Sequence, residues 1–420
     1  MQMDSICVNG GVCLQGKVKV QGSKNASLPI LAATLLTHGE NVFYNCPKIT
    51  DVFQMKQLLK SIGCNIRERS ECICINADKV CPGRMPTEAV QGMRSSVCML
   101  GALLSRCGEV SMEYPGGCVI GARPIDLHLK ALEKLGAVFR VENGCIHGRV
   151  PSGFRGTEVL FPKVSVGATE NVILAAVLAQ GETRVYGAAK EPEVADLCKY
   201  LVQCGARIKG IGTNVLIIEG VQELKGCCMR MTPDRIVAGT YLFAVLAAGG
   251  SAFLEEAPCH QLQAVLDVAR RMGAICQESP DGLYVQAPEE LMPIGYLCTG
   301  EYPEFPTDLQ SMAAVAALGA NGKSIIEETI FENRFHIVEP LRSMGADVQI
   351  LDSKRLLING GHRLRGMDVE AKELRGGAAM VLAGLMAGGT TCITGCEYIR
   401  RGYENIGKDL RELGARVVSV

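Results

Sequence analysis

The stretch ALEKLGAVF, residues 131–139, contains a pattern that occurs six times along the chain. The end of an amphipathic helix is followed by a glycine and then by a short β-like run. A glycine in this place can adopt the left-handed conformation that closes a helix. These glycines, which follow one another at intervals of 68 to 73 residues, are Gly63, Gly136, Gly205, Gly273, Gly345 and Gly414. The spacing predicts an internal repeat of about 70 residues.

A second pattern precedes each of these glycines, and it consists of an Ala- and Leu-rich helix, a glycine and a strand. Examples are GALLSRCGEVSM at residues 101–112 and AAVLAQGETRVY at residues 175–186. The helices are apolar on nearly all sides, so we expect them to be buried. Each repeat is therefore predicted to run helix, strand, loop, helix, strand. Three repeats make a domain of ordinary size, which predicts two domains.

The longest interval between the two glycines of one repeat runs from Gly108 to Gly136. It contains PGGCVIGARP, residues 115–124, in which two prolines enclose three glycines, Cys118 and Arg123. Glycines make a loop pliable and prolines fix its ends, which predicts a mobile lid that carries a thiol. Extra residues in a repeat usually form a functional loop. An ordinary long loop is the alternative.

The composition excludes several classes of protein. The 420-residue chain has 43 basic and 44 acidic residues, a formal charge of −1, which gives no sign of a nucleic-acid partner or of an anionic membrane surface. No apolar run approaches the roughly 20 residues that a membrane helix needs. The start, MQMDSICVNGG, lacks the features of a signal peptide, so we expect a cytoplasmic protein.

The twenty cysteines are scattered over a long hydrophobic chain, and many lie on apolar faces, as in ECICI at residues 71–75. We therefore expect the cysteines on apolar faces to be small core residues, and we do not expect a disulfide scaffold. No CxxC pair occurs, which argues against a zinc site, and we predict no bound metal.

Two helix starts carry candidate anion-binding side chains. GSKNASLPIL, residues 22–31, places Lys24 and Asn25 where free backbone N–H groups and the helix dipole favour an anion. Simple capping by Ser23 is the alternative. MRSSV places Arg94 either at the start of a buried helix or at an exposed helix end.

Later repeats carry further polar residues at comparable places. KVSVGATEN, residues 163–171, puts a Ser-Val-Gly turn before an apolar helix, as a ligand site or as an ordinary helix start. FPTDLQ puts Asp308 near a helix N-terminus, where it is either a cap or a base facing a substrate hydroxyl. Further charged residues are Arg334, Glu373, Arg375, Arg400 and Arg401. If two domains face each other, these loops form a cationic cleft suited to phosphate and carboxylate groups.

These motifs together resemble the UDP-N-acetylglucosamine enolpyruvyl transferase family, a branch of the EPSP synthase family, over essentially the whole chain. The resemblance rests on GSKNASLPIL, MRSSV, PGGCVIGARPIDLH, KVSVGATEN, EPEVAD, PDRIVAGTYL, FPTDLQ, ENRFHIVEPL and RGYENI. It implies an α/β fold of two inside-out α/β barrel domains, each of three repeated βαβαββ-like units, with a cleft between them. One domain would comprise residues 24–232, and the other residues 1–23 together with residues 233–420.

The resemblance also implies an activity. A family member transfers the enolpyruvyl group of phosphoenolpyruvate to the 3-hydroxyl of UDP-N-acetylglucosamine and releases phosphate, which is the first committed step of peptidoglycan synthesis. Neither addition nor elimination needs a cofactor. The implied partners are these two substrates, with no nucleic acid and no membrane, and the protein would be a monomer or a weak homo-oligomer. The alternatives are a sister transferase acting on shikimate 3-phosphate and a catalytically weak paralogue that binds a UDP-sugar.

Individual roles follow from the resemblance, residue by residue. Cys118 is similar to the lid cysteine that protonates phosphoenolpyruvate, and Asp308 to the residue beside the sugar 3-hydroxyl. The residues implied to be catalytic are Lys24, Cys118, Asp308, Glu373 and Arg401. The residues implied to bind substrate are Lys24, Asn25, Arg94, Arg123, Pro124, Ile125, Asp126, Leu127, Lys163, Val164, Ser165, Val166, Gly167, Asp308, Ile330, Arg334, Arg375 and Arg401.

The chain also departs from the family pattern at four positions near the predicted site. Glu373 stands where an aspartate is common, and its longer side chain moves the carboxylate by about one methylene. Gly376 and Gly377 replace small residues that have side chains, and Arg400 stands where an acidic residue is common.

Overall fold

The computed structural model describes residues 5–81, 85, 87–116, 124–332 and 334–419. The helices are α1 (Lys24–Ala33), α2 (Thr50–Ser61), α3 (Thr87–Gly92), α4 (Met99–Cys107), α5 (Asp126–Lys134), α6 (Val166–Ala176), α7 (Pro192–Gln203), α8 (Arg235–Ala248), α9 (Gln263–Arg271), α10 (Gln310–Leu318), α11 (Val338–Ser343), α12 (Leu374–Met386), α13 (Cys396–Ile399) and α14 (Ile406–Glu412). Short 3-10 helices cover Thr34–Leu36, Arg94–Cys98, Cys259–Gln261 and Thr307–Leu309.

The strands are short and are distributed over the whole chain. They are β1 (Ser5–Asn9), β2 (Leu14–Lys19), β3 (Thr37–His38), β4 (Glu40–Tyr44), β5 (Asn65–Glu68), β6 (Cys72–Asn76), β7 (Glu109–Glu113), β8 (Val138–Glu142), β9 (Cys145–Arg149), β10 (Glu158–Leu160), β11 (Glu182–Tyr186), β12 (Arg207–Lys209), β13 (Val215–Glu219), β14 (Leu224–Lys225), β15 (Cys228–Arg230), β16 (Gly250–Glu255), β17 (Ile275–Ser279), β18 (Gly282–Gln286), β19 (Tyr296–Cys298), β20 (Lys323–Glu327), β21 (Asp347–Ile350), β22 (Arg355–Asn359), β23 (Asp368–Glu370), β24 (Thr390–Thr394) and β25 (Arg416–Ser419).

The glycines of the sequence repeat occupy equivalent turns. All six glycines after the amphipathic helices have positive φ, as do the six that precede the strands, with φ between 77° and 142°. This left-handed region favours glycine, because other side chains are strained there. The predicted repeat is therefore confirmed by the backbone conformation at both of its landmark glycines.

The chain divides into two compact units. Among the described residues, the first unit consists of residues 22–116 and 124–232, and the second unit of residues 5–21 and 233–419. Each unit has its own hydrophobic core, built around three helices that are buried along most of their length. In the second unit α8, α10 and α12 pack against one another, and in the first unit α4 packs against α1 and α6. The expectation that the Ala/Leu-rich helices are buried is confirmed.

The third and fifth repeats show the full order of elements, which is βαβαββ. In the third repeat the strands are arranged β10-β11-β13-β12, and in the fifth they are arranged β19-β20-β22-β21. The outer strand is parallel to the strand that follows the buried helix, and the remaining pairs are antiparallel. The residue pattern had predicted helix, strand, loop, helix, strand only. It missed two strands in each of these repeats, because three- to five-residue strands leave too little alternation to recognise.

Strands from distant parts of the chain complete several sheets. In the first unit β15 lies parallel to β4, so the last strand of this unit joins the sheet of its first repeat. In the second unit β2 lies parallel to β16, and β1 is inserted between β24 and β25. The N-terminal strands therefore belong to the unit that contains the C-terminus.

The cysteines follow the expectation from composition only in part, because fewer than half of the described free thiols are buried. Cys64, Cys74, Cys98, Cys198, Cys204, Cys259 and Cys396 are buried free thiols. One disulfide is present among the described residues, between Cys7 on β1 and Cys392 on β24, which are direct cross-strand neighbours. Within the same described residues, no helix has the length and apolar character needed to cross a membrane.

Candidate active site

The carboxylate of Asp308 lies between two guanidinium groups in the second unit. Arg334 Nη2 donates to Oδ1 at 2.8 Å, and Arg375 Nη2 donates to Oδ2 at 3.0 Å. The two arginine side chains are only 2% and 4% exposed, whereas the Asp308 side chain is 26% exposed. Asp308 belongs to the 3-10 helix that precedes α10, and its side chain does not cap that helix. The capping alternative is therefore wrong for this residue.

Charge pairing outweighs burial in setting the pKa values of Asp308 and Arg375. Burial by itself raises the pKa of Asp308, but the charges and hydrogen bonds of Arg375 and Arg334 outweigh burial and hold that pKa well below its usual range. Burial lowers the pKa of Arg375, and Asp308 reverses this effect, so the pKa of Arg375 lies above its ordinary value. Asp308 is thus ionised at neutral pH and accepts hydrogen bonds. It becomes a stronger base only if its arginines turn toward another anion.

Arg334 is held by neighbours other than Asp308. Its Nη1 donates to Thr307 Oγ1 at 2.9 Å, and the Thr307 hydroxyl donates to the buried Glu328 at 2.8 Å. The guanidinium also lies over the Phe331 ring, 5.1 Å from its centroid. Among the described residues the buried Nε of Arg334 has no hydrogen-bond acceptor. An unsatisfied buried donor costs about 1–3 kcal/mol, a cost that functional sites commonly carry.

Glu373, which we predicted to be catalytic, caps α12 in this structure. Its carboxylate accepts hydrogen bonds from the backbone N–H of Arg375 at 2.8 Å and from that of Gly376, and the residue is 4% exposed. A Cβ added at Gly376 would lie 2.6 Å from Glu373 Oε1. Two of the departures from the family pattern are therefore one feature, because the glycine makes room for the longer carboxylate. Glu373 holds the helix turn that carries Arg375.

Two other predicted residues of the second unit lie on segments joined to this cluster. The backbone N–H of Ile330 donates to Glu328 Oε1 at 2.8 Å, and the Ile330 side chain is half-buried. Arg401 is partly exposed in the turn after α13. It stands two residues before Tyr403, whose hydroxyl oxygen lies 3.4 Å from Arg375 Nη1.

Lys24 and Asn25 begin α1 in the first unit, as predicted. The Lys24 ammonium is 2.7 Å from Asp51 Oδ2, and the two side chains are 10% and 2% exposed. Asn25 Nδ2 donates to Glu193 Oε1 at 3.4 Å. Ser23 also caps the helix by accepting a hydrogen bond from the backbone N–H of Ala26 at 3.2 Å. The capping alternative is therefore correct for Ser23, and it coexists with a nearly buried lysine at the helix start.

Arg94 begins the 3-10 helix that leads into the buried helix α4. The guanidinium is half-buried, and burial lowers the pKa of Arg94 without removing its charge at neutral pH. Its Nη1 donates to the carbonyl oxygen of Pro115 at 3.0 Å. Pro115 is the first residue of the predicted lid, so Arg94 holds the point where that loop begins. Cys118 and Arg123 themselves lie outside the described residues.

The stretch after the lid contains both exposed and buried side chains. Pro124 is exposed, whereas Ile125 is buried in the core of the first unit. Asp126 is the first residue of α5 and pairs with Lys130 at 3.6 Å. Leu127 packs against the core from its edge. Ile125 is predicted to contact substrate, but its side chain faces the core of the first unit.

The turn before α6 is built as a helix start. Lys163 is exposed, and the residues from Val164 to Gly167 are half-buried. Ser165 caps α6 by accepting from the backbone N–H of Ala168 at 3.4 Å. A Cβ added at Gly167 would lie 2.9 Å from Cε1 of His128, so the imidazole packs directly against this turn.

Sequence reasoning missed the residues that hold the predicted ones in place. Asp51, Glu193, Thr307, Glu328 and Tyr403 all contact predicted site residues. Most of these contacts join residues more than 20 positions apart, so no local pattern indicates them. Three of them did have a signal, because Glu193, Thr307 and Tyr403 belong to the motifs EPEVAD, FPTDLQ and RGYENI.

Comparison with known proteins defines the class of fold. The family model described as EPSP synthase (3-phosphoshikimate 1-carboxyvinyltransferase) matches residues 8–410. The enolpyruvyl transferase NikO from Streptomyces tendae superposes with a TM-score of 0.87 at 22% identity, covering 99% of this chain and 98% of that one. EPSP synthase from Acinetobacter baumannii gives a TM-score of 0.76 at 18% identity, with 99% of each chain covered. The chain therefore has the EPSP synthase-like fold of carboxyvinyltransferases.

Relatives of higher sequence identity show to which branch of this family the chain belongs. UDP-N-acetylglucosamine 1-carboxyvinyltransferase 1 from Halalkalibacterium halodurans is 41% identical over 419 residues, covering 100% of this chain and 95% of the relative. UDP-N-acetylglucosamine 1-carboxyvinyltransferase from Oleidesulfovibrio alaskensis is 43% identical over 416 residues, covering 99% of each. The chain belongs to the UDP-N-acetylglucosamine 1-carboxyvinyltransferase branch of the EPSP synthase family.

Proposed function

We propose that the protein transfers the enolpyruvyl group of phosphoenolpyruvate to the 3-hydroxyl of UDP-N-acetylglucosamine and releases phosphate, the first committed step of peptidoglycan synthesis. Family membership over essentially the full chain supports this reaction. The observation that carries the proposal is the ionised Asp308 between Arg334 and Arg375. A carboxylate beside two buried cations suits a reaction between an anionic substrate and a hydroxyl group.

The chemistry assigns different tasks to the members of this cluster. The sugar hydroxyl must lose a proton as it attacks C2 of phosphoenolpyruvate, and Asp308 is the proposed acceptor. Its pKa is low while Arg334 and Arg375 are bound to it. A substrate carboxylate or phosphate that draws the guanidinium groups away raises that pKa, so anion binding itself makes Asp308 a better base. Glu373 acts in this proposal by holding Arg375 rather than by touching substrate.

The remaining proposed roles fall on residues that precede residue 233 and on Arg401 of the second unit. Cys118 is the proposed general acid that protonates C3 of phosphoenolpyruvate, which makes C2 electrophilic. Lys24 and Asn25 are proposed to bind phosphoenolpyruvate, together with Arg123 and Arg401. The ammonium of Lys24 is paired with Asp51, which places an opposite charge beside a nearly buried cation at the start of a helix. An anion at this place would also interact with the helix dipole.

The other proposed substrate contacts follow the family resemblance. They are Arg94, Pro124, Ile125, Asp126, Leu127, Lys163, Val164, Ser165, Val166, Gly167 and Ile330. We further propose that each unit is an inside-out barrel, which its three buried helices support. A shared cleft, a cytoplasmic location and a monomeric or weakly associated state stay predictions.

The test is phosphate release from phosphoenolpyruvate, measured with and without UDP-N-acetylglucosamine. We expect release only when the sugar nucleotide is present, and we expect Asp308→Asn to lower kcat/KM at least about 100-fold, the usual size of a general-base contribution. Asp352→Asn is the matched control, because Asp352 also pairs with an arginine, Arg355, but lies on the surface of the same unit. It should retain wild-type activity.

Two outcomes would overturn the proposal in favour of an alternative. Release with shikimate 3-phosphate, and not with UDP-N-acetylglucosamine, would identify the sister transferase activity. Binding of UDP-N-acetylglucosamine without any release at saturating phosphoenolpyruvate would leave a binding paralogue. A normal rate in Asp308→Asn would contradict the role of Asp308 while leaving the reaction itself intact.

A further inference from the structure

A line of hydrogen bonds continues into the core from Arg375 Nη1, the terminal nitrogen that does not contact Asp308. Arg375 Nη1 lies 3.4 Å from the hydroxyl oxygen of Tyr403, which lies 2.7 Å from Thr240 Oγ1. The guanidinium carbon of Arg375 is 5.8 Å from the centroid of the Tyr403 ring. Tyr403 and Thr240 are both completely or almost completely buried. A buried phenol is therefore the second side-chain partner of Arg375.

The direction of these hydrogen bonds follows from the number of hydrogens available. Thr240 Oγ1 donates to the backbone carbonyl of Ile236 at 2.8 Å, which uses its single hydrogen. Tyr403 must then donate to Thr240, and its lone pairs accept from Arg375, because a guanidinium can only donate. The order is therefore Arg375 to Tyr403, Tyr403 to Thr240, and Thr240 to Ile236. Burial raises the pKa of Tyr403, so the phenol stays neutral and keeps the hydrogen that this order requires.

Arg375 needs a second contact because of where it stands. It lies in the first turn of α12, at the positive end of a helix dipole, and its guanidinium is almost fully buried. It reaches Asp308 through Nη2 alone. A single contact leaves the guanidinium plane free to rotate, whereas a second contact through Nη1 fixes that plane.

We propose that Tyr403, itself oriented by Thr240, is a positioning residue that fixes the guanidinium plane of Arg375 and thereby the orientation of Asp308. The expected fall in kcat rests on the proposed function, whereas the expected loosening of the Arg375 side chain does not. Tyr403 follows Arg401 by two residues in the motif RGYENI. One short segment therefore carries both Arg401, a cation predicted to bind substrate, and the tyrosine that positions Arg375.

The test uses Tyr403→Phe in the full-length protein. This change keeps the ring beside the guanidinium and removes only the hydroxyl. Without this hydrogen bond to the charged guanidinium, the orientation of Arg375 and Asp308 is less well defined, so we expect kcat to fall about tenfold or more. The KM values of both substrates should change less than about threefold, because positioning of Asp308 differs from substrate binding. Thr240→Val should lower kcat in the same direction.

Tyr200→Phe is the matched control. Tyr200 is another fully buried tyrosine, but its hydroxyl donates to Asn41 Oδ1 at 2.7 Å in the first unit, and no guanidinium of the described residues contributes to that hydrogen bond. This variant loses the same atom and should keep kcat within about twofold. Thermal unfolding of both variants shows whether a loss of kcat in Tyr403→Phe exceeds what its stability explains.

A second measurement works without activity. Phenylglyoxal modifies accessible, mobile arginines, and peptide mass spectrometry reports the extent at Arg375. We expect modification of Arg375 to rise several-fold in Tyr403→Phe and not in Tyr200→Phe. If the wild type releases no phosphate, the proposed function fails, and the labelling still decides the role of Tyr403. Unchanged labelling of Arg375, or equal kcat values in the two variants, would refute the positioning role.

Discussion

At the scale of single residues, the site depends on matched pairs rather than on isolated functional groups. Glu373 and Gly376 are one such pair, because the carboxylate of the first occupies the space of a Cβ at the second. Asp308 with its two buried arginines is another match, in which opposite charges lower the pKa of Asp308 and raise that of Arg375. Replacing one member of such a pair therefore changes the effect of replacing the other.

We expect Glu373→Asp and Gly376→Ala to be coupled. Gly376→Ala alone should destabilise the protein by about 1–3 kcal/mol, because the new methyl group overlaps the Glu373 carboxylate. In the Glu373→Asp background the shorter carboxylate leaves room, and alanine favours a helix over glycine by about 1 kcal/mol. A double-mutant cycle of unfolding free energies measures the coupling. Additive effects of the two changes would contradict the shared space.

At the scale of helices, packing of α4 against α6 places a carboxyl group in the core of the first unit. Glu170 on α6 is buried and accepts a hydrogen bond at 3.2 Å from Sγ of Cys98, the residue just before α4. Burial raises the pKa of Glu170 to about 8, and the charges of Glu193 and Glu191 contribute in the same direction. The protonated, neutral form of Glu170 is therefore the one that stabilises the packing of α4 against α6.

This raised pKa predicts a pH dependence of stability. Below the unfolded-state pKa, near 4.5, the favourable neutral form makes its full contribution, and this contribution is lost as the pH rises through about 8. Between these values stability should fall by at most about 1.4 kcal/mol per pH unit. Glu170→Gln should remove most of this decline in denaturant unfolding between pH 6 and pH 8. The exposed Glu182 supplies the control Glu182→Gln, and an identical decline in both variants would rule out Glu170 as the source.

At the scale of the whole chain, its two ends are joined within one sheet. Strand β1 lies between β24 and β25, and the disulfide between Cys7 and Cys392 links residues 385 positions apart. A cross-link that encloses so much of the chain limits the freedom of the unfolded state. The N-terminal strands are therefore part of the second unit's stability.

We expect a thiol reductant to lower the thermal unfolding midpoint of the wild type, by the equivalent of about 2–4 kcal/mol for a disulfide. Cys7→Ser should have the lowered midpoint already and should not respond to the reductant. Cys13→Ser is the control, since Cys13 is an exposed free thiol on the same N-terminal segment. A reductant effect that persists in Cys7→Ser would show that another pair of cysteines is responsible.

The local pattern of residues determined the repeat, the buried helices and the helix starts that carry Lys24 and Asp308. These features depend on periodicity and on glycine conformation, which act over a few neighbouring residues. The pattern did not reveal the outer and third strands of the repeats, because such short strands carry little alternation of their own and are held by distant partners. It also left open whether Asp308 is a cap or a base.

Only the tertiary structure decided which charges meet. Asp308, Arg334 and Arg375 come from three different segments, and Tyr403 reaches Arg375 from a fourth. A residue's neighbours in the chain do not specify such contacts, since the free energy of a buried charge depends on whichever group folding brings beside it. For the same reason, only the structure showed that Glu373 caps α12. Its side chain is long enough to need a glycine at position 376, a relation that becomes visible only in three dimensions.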